Sequence, residues 1–246
     1  MNRKTSKILL GVCLLAVSAA SSCAHYAVFK DMKNLLFYIS LDIVFLPLQI
    51  LLVSIILDSL ISSRERGERL EKLNMVIGVF FSEAGTELLT YFSDIDSGAE
   101  EIKSKLKVSA KWSANDFKTI GGQLCSYGYN LNPSNIDFAF LKSFMAEKKG
   151  FLLGLMENPN LLEHETFTEL LLAAFHLAEE LANRKDIKQM PKEDQEHIAN
   201  DAKRVYSLLA REWLSYMEHL KNHYPYLFVS AMRKNPFNET ASVEIA

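Results

Sequence analysis

Six histidines and a dense set of carboxylates are the residues of this sequence best equipped for chemistry. His176 and Glu180 stand four positions apart, as do His219 and His223, and that spacing places both members of a pair on one helix face. Facing helices bearing Glu169, His176, Glu180, Glu212, His219 and His223 would offer imidazole nitrogens and carboxylate oxygens to Fe, Mn or Zn. The candidate metal ligands are therefore His176, Glu180, His219 and His223, with His164 as an additional donor. The same pairs also arise without any metal, because an amphipathic helix needs polar groups outside its apolar stripe. On that reading Glu163, Glu165, Glu169, Glu179 and Glu180 form a hydrated surface.

HxxxE followed by HxxxH, between Ala173 and Tyr224, resembles the ligand spacing of hemerythrin-like bundles. That resemblance implies a metal centre inside a helical bundle. The sequence departs from the pattern in having no later HxxxxD, and it lacks the repeated ExxH of ferritin-like carboxylate sites. Other chemistry has less to build on. Gly121 and Gly122 have neither the spacing nor the strand-to-helix setting of a phosphate loop, and there is no HExxH or GxSxG. Cys125 has no neighbour that would mark it as a thiolate nucleophile. With only Cys13 and Cys23 besides, the cysteines suit unpaired thiols better than a disulfide framework.

The elements that would position these residues follow two very apolar segments. Leu35–Leu57, "LLFYISLDIVFLPLQILLVSIIL", carries one charge, Asp42, and one proline, Pro47. As a helix it is about 34 Å long, enough for a hydrocarbon core of about 30 Å. Ile8–Phe29 has no Lys, Arg, Asp or Glu and forms a second candidate span. Its basic start, apolar run and small residues also fit a cleaved signal, and "ASSC" before Cys23 is a weak lipobox. Arg3, Lys4 and Lys7 precede the first segment and Arg64, Arg66, Arg69 and Lys72 follow the second, with only Lys30 and Lys33 between. The positive-inside rule then puts both ends in the cytoplasm. Asp42 is costly at such depth. In a hairpin centred near Met32 it faces the level of Ser22, so Ser21, Ser22 and His25 are its intramembrane polar partners.

Beyond the second segment apolar residues recur at helical spacing: Leu70, Leu73, Ile77, Phe81, Ala84, Leu88 and Phe92. Packing on the following domain, or a short coiled coil, would bury that face. Ser113 with Asp116 reads as a helix start, and "ENPN" at Glu157–Asn160 as a turn. Two long amphipathic helices close the chain, one with Leu170, Ala174, Leu177 and Leu181 on a face, the next with Ile198, Val205, Leu209, Tyr216 and Leu220. No sustained alternation suggests a sheet. The expected fold is all-α: a two-helix transmembrane hairpin followed by a cytoplasmic, bundle-like multi-helix domain. The expected divisions are a membrane anchor over 1–61, with spans at 8–29 and 35–57, a juxtamembrane helix over 62–96, a helical domain over 97–237 and a disordered tail over 238–246.

From Ser62 onward 22 basic residues stand against 27 acidic ones, a net charge of −5 that offers no broad footprint for nucleic acid. The composition and topology point to a multi-pass protein of the inner (cytoplasmic) membrane with its C-terminal domain in the cytoplasm. The expected role is a non-enzymatic protein-association or regulatory module without a cofactor. Its partners would be the bilayer and either a second copy or another protein, with Leu70–Phe92 and Tyr224–Phe228 as contact surfaces. The alternatives are a membrane-anchored metalloprotein and a small channel or transporter component using Asp42.

Overall fold

The computed structural model describes residues 3–159, 161 and 164–238, with backbone alone at 3–8, 10, 66 and 68–70. Asn160, Glu163 and the tail 239–246 lie outside the described residues. The chain divides into two compact units, Met1–Glu65 and Arg66–Ala246, and the fold among the described residues is all-α.

The first unit contains α1 (Arg3–Phe29) and the beginning of α2 (Met32–Phe80). Both are long and apolar enough to cross a membrane, over Gly11–Phe29 and Met32–Glu65, and no described side chain from Leu9 to Glu65 is buried. Helix is the expected form for such runs because it satisfies its own backbone groups without water. Pro47 lies inside α2 without ending it. The link between the helices is two residues long. Lys30 takes a positive φ of 45°, which costs an L-residue roughly 1–2 kcal/mol. Asp31 offsets this by capping α2, its Oδ1 accepting from the amides of Lys33 and Asn34 at 3.1 Å each.

In the second unit the last turns of α2 pass into a π-helical turn, Phe81–Gly85, and then α3 (Thr86–Ile95). Leu73, Ile77, Phe81, Ala84, Leu88 and Phe92 are all buried, so this face packs into its own domain and is not available to a coiled coil. Gly85 is needed where it stands: an added Cβ would lie 2.7 Å from ring carbons of both Phe80 and Phe81.

There follow α4 (Ala99–Lys105), α5 (Ala114–Ser126), α6 (Phe138–Met156), α7 (Glu165–Asn183), α8 (Lys192–His223) and α9 (Pro225–Arg233). Local chemistry sets their starts. Ser113 and Asp116 form the capping box that opens α5, and Asp137 accepts from the amides of Ala139 and Phe140 at α6. Pro225 sits in the first turn of α9, where its missing N–H costs nothing. An isolated bridge, Asp96–Leu131, is the sole β pairing among the described residues.

Helix α8 is the central element and packs against α3, α5, α7 and α9. Its stripe Ile198, Val205, Leu209 and Leu220 is buried, as is the facing stripe Leu170, Ala174, Leu177 and Leu181 of α7. Tyr216, expected on the same stripe, is only half-buried. Away from the helices, buried Asp96 accepts from the Tyr127 hydroxyl at 2.8 Å and the Gly98 amide at 3.0 Å. The chain after α9 folds back: the Asn235 side chain donates to the Leu106 carbonyl at 2.8 Å, and Phe237 packs edge-on against Trp213.

Candidate functional site

A cleft of about 830 Å³ opens between the end of α2, the π-turn and α3 on one side and the last turns of α8 with α9 on the other. Its walls come from residues between Asn74 and Glu87 and between Tyr224 and Lys234, and its floor carries Trp213, Tyr216 and His219. The apolar pattern of α8 brings Tyr216 inward, and Gly78 lets it settle there: a Cβ at 78 would lie 2.9 Å from the phenolic oxygen. The Tyr216 ring stacks on Phe81 with centroids 5.5 Å apart. At the mouth the Tyr224 hydroxyl donates to Glu71 Oε1 at 2.9 Å, tying the start of α9 to α2.

His219 lines this cleft, while its Nε2 is closed off from solvent and without a hydrogen-bond partner. The ring stacks on His223, centroids 4.5 Å apart. Burial first, and then the neighbouring His223, hold the His219 pKa below the ordinary imidazole value, with Glu71 acting in the opposite direction. Tyr216 is pushed up by burial and keeps its proton. The floor therefore presents neutral hydrogen-bonding groups within an aromatic and aliphatic lining, the general composition of a ligand cleft.

A second polar cluster laces α7 to α8. Asp201 is 7% exposed, and its Oδ2 makes no hydrogen bond. The Nε2 atoms of His176 and His197 approach that oxygen to 3.6 and 3.5 Å. Glu180 Oε2 lies 3.6 Å from His197 Nε2 and accepts from Arg184 Nη1 at 2.8 Å. Arg184 also donates from Nε to Asp194 at 2.8 Å. Its guanidinium holds the carboxyls of Glu180 and Asp194 below their usual range.

The four candidate metal ligands are consequently split into two pairs. His176 is beside Asp201, and His219 lies 18 positions further along α8 than Asp201, about 27 Å along the axis at the helical rise. Among the described residues no group of three or more His, Cys, Asp or Glu side chains has a geometry able to hold a metal ion. His164 caps α7 instead, its Nδ1 accepting from the Phe167 amide at 3.2 Å. Glu169 is exposed, and Glu212 is buried. In the first unit Asp42 is exposed, and the Ser22 hydroxyl donates to its own helix at the Ser18 carbonyl. The His25 ring lies tilted against Phe29, its Nδ1 without a partner, and no hydrogen bond joins Asp42 to Ser22 or His25 among the described residues.

Of the α7–α8 cluster, sequence spacing singles out His176 and Glu180 and passes over Arg184, Asp194, His197 and Asp201. The spacing of His197 and Asp201 is visible, but their facing of His176 depends on how the two helices pack. The cleft was hidden for the same reason, since its walls are 130 or more positions apart along the chain.

Two family descriptions match the chain: the C-terminal helical domain of the uncharacterized protein MJ1433 over residues 69–233, and the MJ1433 N-terminal helical domain over residues 2–61. The uncharacterized protein MJ1433 of Methanocaldococcus jannaschii is 42% identical over 243 residues, covering 99% of this chain and 98% of that protein. No solved structure matches.

Proposed function

This chain belongs to the MJ1433 family, and from its own geometry we propose that it is a membrane-anchored regulatory module whose state is set by what occupies the cleft between α2–α3 and α8–α9. The anchor is a two-helix hairpin of α1 and α2, and the helical domain stands on the cytoplasmic side. One observation carries the reading: two helices, apolar over Gly11–Phe29 and Met32–Glu65, have no buried side chain, while the second unit buries a continuous core. Water does not favour that much exposed hydrocarbon, and lipid does. The basic residues before Ile8 and after Leu57 support the cytoplasmic orientation. Occupancy of the cleft regulates by mass action, since a ligand favours whichever arrangement of α2, α8 and α9 holds it best.

Labelling of Cys125, which is exposed, tests the anchor and its orientation. With Cys13 and Cys23 replaced by Ser, a membrane-impermeant maleimide should label Cys125 in inverted vesicles and spare it in intact cells. Labelling in intact cells, or recovery of the untagged full chain in the soluble fraction, overturns the reading.

A further inference from the structure

Three features of the cleft go beyond its existence. Its volume, about 830 Å³, falls within the range of small-molecule pockets, roughly 300–1,000 Å³. Exposed apolar side chains also concentrate there. Of the eight large hydrophobic residues exposed in the described part of the second unit, Met75, Val79, Tyr226 and Leu227 line this one cleft, at 40 to 72% exposure. Such a concentration is what an interaction site shows, and scattered surface leucines do not. The third feature is polar. The half-buried Tyr216 lines the cleft, and its hydroxyl makes no hydrogen bond among the described residues. An unpaired hydroxyl within an apolar lining is open to a partner from the cleft.

We infer that the cleft binds an uncharged amphiphile, its apolar body between Met75, Val79 and Leu227 and a neutral hydroxyl, carbonyl or amide against the Tyr216 hydroxyl. The inference rests on the reading of the cleft as the regulatory site. The head group is neutral because the groups at the floor are: burial keeps His219 deprotonated and Tyr216 protonated. Around them Lys234 and Glu87, the one basic and the one acidic lining residue among those described, provide no net charge to hold an ion. Size argues against a partner helix. At a helix width of about 10 Å the cleft accommodates roughly 10 Å of helix, about two turns, well short of the roughly 800 Å² per partner that a stable protein complex buries.

The test uses the full chain in lipid nanodiscs with Trp112→Phe, which leaves Trp213, a cleft residue, as the sole tryptophan. The probe is 12-bromododecan-1-ol, whose bromine quenches indole fluorescence at contact. Saturable quenching is expected, reversed by unbrominated dodecan-1-ol. Tyr216→Phe should weaken it by roughly three- to tenfold, the value of one hydrogen bond, with an unchanged circular dichroism spectrum verifying the fold. Binding of 6-bromohexan-1-ol as tight as that of the long alcohol indicates a ligand drawn from water; a requirement for the long chain indicates one drawn from the bilayer. Non-saturating quenching, equal binding of 1-bromododecane, or tighter binding of 12-bromododecanoate overturns the inference. So does a photo-crosslinker at Met75 that captures a protein in cells in place of a lipid-sized adduct. Loss of quenching with the Cys125 labelling pattern intact removes the ligand alone, whereas labelling from outside the cell removes the anchored orientation.

Discussion

Leu51 in α2 and Leu209 in α8 are the same residue in the same secondary structure, yet one is 55% exposed and the other fully buried. The contrast holds between the two units as wholes. In the second, apolar stripes alternate with charged faces and the protein supplies its own apolar environment; in the first, the helices are apolar all round and supply none. Periodicity, more than total hydrophobicity, separates a helix that packs on protein from one that needs another solvent. The largest expected effect tests that difference directly. Leu209→Ala should destabilise the domain by about 2–5 kcal/mol, since it leaves a cavity in a packed core. Leu51→Ala should cost only about 0.5 kcal/mol of membrane insertion. Thermal unfolding of both variants in nanodiscs measures the gap. Equal losses would mean that α2 packs on protein along its apolar run.

Glycines sharpen the comparison at smaller scale. Gly85→Ala drives a methyl group into the Phe80 and Phe81 rings and should cost about 1–3 kcal/mol through overpacking. Gly11 in α1 has nothing within 4 Å of an added Cβ, so Gly11→Ala should leave stability unchanged or slightly raised. The melting temperatures of the two variants decide it, and a Gly11→Ala loss as large as that at Gly85 would reveal a close neighbour for α1. Next in size is Ser113→Ala, which removes the α5 cap and should cost about 1 kcal/mol; a shift of the urea midpoint to lower concentration checks it, and an unchanged midpoint would show that the cap contributes nothing.

Much of this architecture was legible in the sequence because it is local. The α5 capping box, the buried stripes of α7 and α8 and the apolar character of α1 and α2 each depend on residues within a few turns of one another. The candidate site was legible only in parts. The helical spacing of Leu73, Ile77 and Phe81 marks a buried face, but the meeting of Met75 and Val79 with Tyr226 and Leu227 depends on the π-turn and on Tyr216 lying over Gly78. Histidine spacing is legible only in part for a related reason. An i, i+4 pair establishes a shared face, not what that face meets: for His176 it meets Asp201, and for His219 it meets the cleft.

The smallest effect expected is a pH dependence, and it separates the two histidine clusters. His219 has a folded pKa below the ordinary value of 6.5, with burial as the largest cause. An unfolded chain therefore binds a proton at this residue at a pH where the folded chain does not, and stability must rise with pH across that interval. Its contribution is complete above about pH 6.5, declines as the pH falls through that value, and levels off below the folded pKa. Glu180 and Asp194, held down by Arg184, lose their contributions only in the more acidic carboxylate range. Between pH 7.5 and pH 5.5, then, His219→Gln should flatten the slope of the melting temperature against pH, and Arg184→Gln should leave that slope in place while lowering the whole curve. A slope unaffected by His219→Gln would show that the ring is solvated, and with it the polar floor of the cleft.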